Sequence, residues 1–211
     1  MSDTDTFIDE VSEEVRRDKL YAMMRKYGWI AVLLVVLLVG GAAYNEWRKA
    51  SERNQAQALG DAILSAEDQD DAAARVAALS DVAAKGDATA VVKLLSAATG
   101  DGAATTLQAV VDNAGVDQLY RDLAQLKLVS LPGSGLDLEA RRTRLAPLAV
   151  AGAPFRVLAE EQLALVEVEA GETDAAITRL QALLVDDETT GALRRRASQL
   201  IVALGGSLET S

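Results

Sequence analysis

The chain contains no cysteine and no histidine among its 211 residues, and three prolines. Without Cys or His there is no thiolate or imidazole metal ligand, no Ser-His-Asp triad, no cysteine nucleophile and no histidine acid or base. The lack of Cys also gives no disulfide framework and leaves the redox compartment open. Pro132, Pro147 and Pro154 are few points at which a helix must break. Aromatics make up 4% of the chain although half of it is hydrophobic, and the apolar content is mostly Ala, Leu and Val. That bias favours helices packed closely through small side chains, and an all-α fold is expected. Positive charge is short as well: 21 Lys and Arg against 32 Asp and Glu leave a net charge of −11. Nucleic acid is excluded as a partner, because such binding depends on Lys and Arg neutralising phosphates.

Long apolar runs are scarce too; the single one is WIAVLLVVLLVGGAAY, Trp29 to Tyr44. With its flanks, from Gly28 to Trp47, it reaches about 20 residues, enough to cross a hydrocarbon core. Tyr27 and Trp29 at one end, and Tyr44 and Trp47 at the other, set amphipathic rings where the two membrane interfaces are expected. A cleaved signal peptide is the competing reading, with Gly41 and Ala43 at the small-residue positions before a cut. Such a peptide needs a short basic leader, whereas this leader is long and carries Asp3, Asp5, Asp9, Glu10, Glu13 and Glu14, so the span is expected to stay. Phe7, Val11 and Val15 recur every four residues, and Asp3 or Thr4 is placed to cap the amphipathic leader helix they imply. Arg16, Arg17, Lys19, Arg25 and Lys26 outnumber Arg48, Lys49 and Arg53 beyond the span, which puts the N-terminus in the cytoplasm. Residues 1–27 are thus read as a cytoplasmic leader, 28–47 as a transmembrane helix, and 48–211 as a domain on the far side, periplasmic in an inner-membrane protein.

Beyond the span the chain alternates apolar helical stretches with short breaks rich in Gly, Asp and Thr. The span helix is expected to run on to about Glu67, with eight further segments behind it. YRDLA, Tyr120 to Ala124, is echoed 35 residues later by FRVLA, Phe155 to Ala159, and more weakly by LRRRA, Leu193 to Ala197. A period near 34 residues with two helices per unit is the mark of a tetratricopeptide-type solenoid, in which each helix pair buries its apolar face against its neighbours. Ala124, Ala159 and Ala176 suit tight crossings, and Leu163, Ala164, the turn Gly171-Glu172-Thr173-Asp174, Ala176 and Leu180 resemble that repeat's consensus. Glu160, Glu167 and Glu188 depart from it, standing where an aromatic, a Tyr and a Pro are usual, and generic helix-hairpin packing remains the alternative. First helices of successive pairs line a concave surface in such solenoids, which makes Gln125, Glu161 and Glu169 candidates for partner binding.

No chemistry is expected of the remaining motifs. Asp68-Gln69-Asp70-Asp71 and Asp186-Asp187-Glu188 fall in breaks between helices, where acids cap the helix that follows, and neither has calcium-loop spacing. Gly133-Ser134-Gly135 lacks the setting of a phosphate loop. The clusters Arg141, Arg142, Arg144 and Arg194-Arg195-Arg196 are read as helix-end charge and solvated faces, with docking to an acidic partner or lipid headgroups as the other reading. No catalytic residue, metal or cofactor is assigned, and an enzyme is not expected.

The leader FIDEVSEEVRRDKLYAMMRKYGWI, the single span, GAAYNEWRKASERNQAQA and an Ala-rich region with divergent repeats together resemble the alphaproteobacterial relatives of the YfgM-like ancillary translocon subunits. The likeness spans nearly the whole chain and is most specific from EEVRRDKL to YGW. It implies a single-span inner-membrane protein with a periplasmic tetratricopeptide-like domain, associated with the SecYEG translocon and a PpiD-type chaperone. The other reading is an accessory or assembly subunit of a respiratory or photosynthetic membrane complex, contacting it mainly through the span. Topology is directly measurable: a fluorescent reporter fused at Ser2 is expected to light up in the cytoplasm, and alkaline phosphatase fused at Ser211 to be active. The converse pattern overturns the orientation.

Overall fold

The computed structural model describes residues 3–97 and 102–208, and along 3–20 and at 22 and 31 the backbone alone. The expected cap at Asp3 or Thr4 and the apolar face of Phe7, Val11 and Val15 therefore lie outside the described side chains. Among the described residues the secondary structure is helical, with no strand. The first helix, α1, runs from Asp3 to Glu67 and ends where the sequence pattern stops it. The chain parts into two compact units, residues 1–58 and 59–211.

In the first unit α1 is long and apolar enough to cross a membrane, and none of its most apolar stretch is buried inside the protein. A core helix of the same composition would be covered by its own fold; this one shows Val32, Leu34, Leu37 and Leu38 at the surface. Around Trp47 the exposed helix carries an Arg48–Glu52 pair at 3.1 Å, four residues apart and worth about 0.3–0.5 kcal/mol, and a looser Arg53–Glu46 contact at 3.7 Å.

The second unit carries α2 (Ala72–Ser80), α3 (Asp87–Ser96), α4 (Ala103–Val111), α5 (Gln118–Ser130), α6 (Leu138–Leu145), α7 (Arg156–Glu169), α8 (Thr173–Val185) and α9 (Gly191–Ala203). Their starts follow local chemistry. Asp71, Asp117 and Asp137 accept from Ala74, Leu119 and Ala140 N–H at 3.0, 2.8 and 2.7 Å, satisfying donors that a helix N-terminus leaves free. The cap expected of the acidic turn 68–71 is therefore made by Asp71. The turn 186–188 differs: Thr190 caps α9, its Oγ1 accepting from Leu193 N–H, and the acids before it serve another purpose. α7 closes at Gly171, φ +78°, with Glu172 N–H donating to Glu167 carbonyl at 2.8 Å and Gly171 N–H to Val168 carbonyl at 3.0 Å. That paired closure needs the left-handed region, which glycine enters without a Cβ penalty. Pro147 divides a segment the pattern had joined: it cannot donate to the α-helical ladder, so α6 stops at Leu145 and a 3-10 turn, Ala146–Leu148, follows.

From α2 to α9 the helices pack on their neighbours in chain order, with α3 on α5 and α5 on α7 as further contacts. Three cores form in series. Ala90, Leu94, Leu107, Val110, Ala124 and Leu128 belong to the first; Leu126, Val129, Leu145, Leu148, Ala159 and Val166 make the second; Ala164, Leu180, Leu183, Ala197 and Ile201 make the third. α5 thus faces the first core with Ala124 and Leu128 and the second with Leu126 and Val129, while α7 is shared in the same way between the second and third. Each fully buried Leu or Ile contributes about 1.5–3 kcal/mol.

The alanines of the sequence echo lie at the centre of this arrangement. Ala124, Ala159 and Ala197 are 0%, 0% and 1% exposed, and Ala90 on α3, which the echo did not reveal, is 1% exposed at the preceding step. Ala176 is fully buried as well. A larger side chain at Ala159 has nowhere to go. Ala159→Leu is expected to cost roughly 1–3 kcal/mol through overpacking, whereas Ala192→Leu at an exposed position of α9 is expected to stay within about 0.5 kcal/mol; thermal unfolding of the full chain in detergent, followed by circular dichroism, measures both.

Candidate functional site

The four residues expected at the membrane interfaces, Tyr27, Trp29, Tyr44 and Trp47, are all exposed, at 51%, 63%, 65% and 68%. Tyr27 has Lys26 Nζ 5.5 Å from its ring centroid, and Tyr44 and Trp47 lie with centroids 6.2 Å apart. An exposed ring beside a cation, or beside a second ring, has an apolar body and a polar edge, the character suited to a headgroup region.

The three residues nominated for partner binding are each engaged within the chain, and they are not brought together. Gln125 on α5 donates through Nε2 to the Arg144 carbonyl at 2.5 Å. Glu161 on α7 receives two hydrogen bonds from Arg196 of α9, both at 2.7 Å. Glu169, at the other end of α7, pairs with Arg141 of α6 at 2.5 Å. Of the three, Glu161 lines an open groove of about 360 Å³ between α7 and α9, with Leu165, Leu180 and Leu200 behind it.

Most members of the two arginine clusters are engaged within the chain as well, Arg195 staying exposed. Arg142 pairs with Glu172 at 2.5 Å, Arg144 donates to Gln108 Oε1 at 2.9 Å, and Arg194 donates to the Leu184 and Asp186 carbonyls at the end of α8. Arg142 and Arg144 stand in the last turn of α6 and Arg194 at the carbonyl end of α8, as the helix-end reading expects, and these side chains also tie neighbouring elements together. The Arg194 ties span 8 and 10 residues, whereas Arg141–Glu169, Arg144–Gln108 and Lys127 Nζ on the Leu94 carbonyl span 28, 36 and 33.

The most developed polar arrangement sits on one face of α7 and α8. Arg179 donates from Nε to both oxygens of Glu167 at 3.0 Å and from Nη2 to Glu167 Oε1 at 2.6 Å, and it also pairs with Glu160. Arg156 pairs with Asp186 and Glu188, both at 2.8 Å. The hydrogen bonds from Arg179 to Glu167, and then those to Glu160, hold the Arg179 guanidinium above its ordinary value against the opposing effect of burial. Arg156 is raised likewise, chiefly by Asp186 and then Glu188. Asp186 is held below the usual carboxylate range, first by the Glu188 backbone N–H and then by Arg156. Ala175, Thr178, Ala182 and Leu183 of α8 complete a cleft of about 560 Å³ around these charges.

No protein-family model, no curated protein and no solved structure matches the chain.

Among the described residues no group of three or more carboxylates is disposed to hold a metal ion. What the cleft offers is shape and charge. Reading the sequence alone missed Arg156 and Arg179, yet a signal for them existed: Glu160, Glu167 and Glu188, the departures from the repeat pattern, are three of the four acids that bind these two arginines. Glu167 is 8% exposed and depends on its arginine. Arg179→Ala, which strands that carboxylate, is expected to destabilise the chain by about 2–4 kcal/mol, and pairing it with Glu167→Leu to recover most of the loss; urea unfolding of both variants measures the difference.

Proposed function

We propose that this chain is a non-catalytic, membrane-anchored scaffold whose helical C-terminal portion binds proteins on the periplasmic side of the inner membrane, as an ancillary component of the SecYEG translocon working with periplasmic chaperones. The observation that carries the reading is the pairing of one unburied apolar helix with a serial stack of helices. The apolar stretch of α1 has no cover from its own chain, and a bilayer supplies that cover without further protein. The stack shares α5 and α7 between successive cores and places Ala90, Ala124, Ala159 and Ala197 at steps of 34, 35 and 38 residues. This supports a tetratricopeptide-like solenoid of the pairs α3–α4, α5–α6 and α7–α8, with α9 as its closing helix. Capping helices of solenoids carry a polar outer face, and α9 exposes Arg195, Arg196 and Gln199, with Val202 the one large apolar side chain among them.

The leader and the order of parts resemble the YfgM-like subunits, which favours the translocon over other membrane complexes. The span then crosses once, with Tyr27, Trp29, Tyr44 and Trp47 at its two interfaces, and the basic residues before it hold the N-terminus in the cytoplasm. Purification of the full chain in mild detergent is expected to recover translocon components and a periplasmic chaperone, and deletion of residues 68–211 to abolish that recovery. Retained association after the deletion favours an accessory subunit docking through its span, and recovery of neither partner from the intact chain removes the translocon assignment.

A further inference from the structure

α8 presents an unpartnered face. Ala175, Thr178, Ala182 and Val185 are all exposed, Val185 at 78%, and all are uncharged. Their spacing of three and four residues sets them on one line along the helix. Small side chains along such a line let a second helix approach closely, at interaxial distances of about 8–10 Å.

The charges around the line are uneven. Glu160, Glu167, Asp174 and Asp186 stand in the cleft against Arg156 and Arg179. Each arginine is already shared by two carboxylates, Arg179 by Glu160 and Glu167, Arg156 by Asp186 and Glu188. The Arg179 cluster therefore keeps a surplus negative charge, Asp174, which joins neither, adds another, and at the Arg156 cluster the neighbouring Arg194 offsets the second acid. The carboxylates of the Arg179 cluster are partly withdrawn from water, with the Glu160 side chain 22% exposed and that of Glu167 10%, so their surplus is less screened than on an open surface.

Resting on the scaffold reading above, we propose that the α7–α8 cleft seats a cationic amphipathic helix of a partner protein. Its small or apolar residues lie along Ala175, Thr178, Ala182 and Val185, and flanking Lys or Arg side chains reach Asp174 and the shared carboxylates. A helix fits because the exposed line has helical spacing. A basic one fits because the rim is short of positive charge, and that complementarity governs selectivity and the rate of encounter. An anionic partner meets repulsion from the same rim.

The absence of Cys from the chain makes the test site-specific. Ala182→Cys and, as an exposed control on α9, Ala192→Cys each create one thiol in the full chain, held in detergent. The probe is a short synthetic helix of Ala and Leu flanked by Lys, compared with the same helix carrying Glu. The Lys helix is expected to slow maleimide labelling at position 182 and not at 192, with binding that weakens as salt is raised; the Glu helix is expected to have no effect. Ala182→Arg, which fills the line with the chain's own cation, and Asp174→Lys are each expected to weaken the Lys helix by about tenfold or more. Circular dichroism verifies that both variants fold, since both positions are exposed. Equal protection by the Glu helix, equal protection at 192, or unchanged affinity in both variants overturns the proposal. Co-purification with the same variants separates the two readings. If the intact chain recovers its partners and Ala182→Arg recovers them equally well, the cleft is not their seat while the scaffold stands; if the intact chain recovers none, the scaffold reading fails by itself.

Discussion

Two helices in this chain must each bury opposite faces. α5 and α7 stand between successive cores, so neither can turn a polar side to water across its full width, and both must let a neighbour approach from two directions. The residue that permits this is alanine. Ala124 and Ala159 are wholly buried, while Leu126 and Leu128, or Val166 and Ala164, point to different cores from positions two residues apart. The apolar composition biased towards Ala, Leu and Val is the consequence of that geometry. Aromatic side chains, which fill a core with few residues, would hold the helices too far apart for a shared element to serve both sides.

Charge plays a second role that composition conceals. The chain is strongly acidic, yet several of its arginines are fixed on particular acids rather than left to offset the net charge at large. Arg141, Arg142, Arg156, Arg179 and Arg196 each lie on a carboxylate of another helix or turn. Exposed pairs of this kind add little individually. Glu167 differs because it is buried, and there the pairing with Arg179 compensates a charge taken out of water. The planar guanidinium suits this use, serving two acids at once with fixed geometry, which a lysine ammonium does less well.

Much of the fold was legible because its determinants are local. Helical periodicity, the end of α1 near Glu67 and the Asp71 cap all follow from neighbouring residues, and the five-residue echo located the buried alanines of α5, α7 and α9. Pro147 was visible, but a break after Leu145 requires weighing one missing donor against an otherwise helical pattern. The side-chain ties were not legible. Gln125, Glu161 and Glu169 were nominated for a concave partner-binding face from repeat geometry alone, which does not show that each also meets a partner 19 to 35 residues away: the Arg144 carbonyl, Arg196 and Arg141. Glu160, Glu167 and Glu188 carried the better clue, since an acid in place of an aromatic or a proline needs a cation nearby.

The serial arrangement of the cores bears on how the domain assembles. Its defining contacts join residues no more than about one repeat apart, so loop-closure entropy is small at every step and no distant strand must wait for a partner. A chain delivered from its N-terminal end can complete the α3–α5 core before α9 has emerged. Assembly is then progressive, with a short unpaired segment at the growing edge and little apolar surface left waiting at any moment.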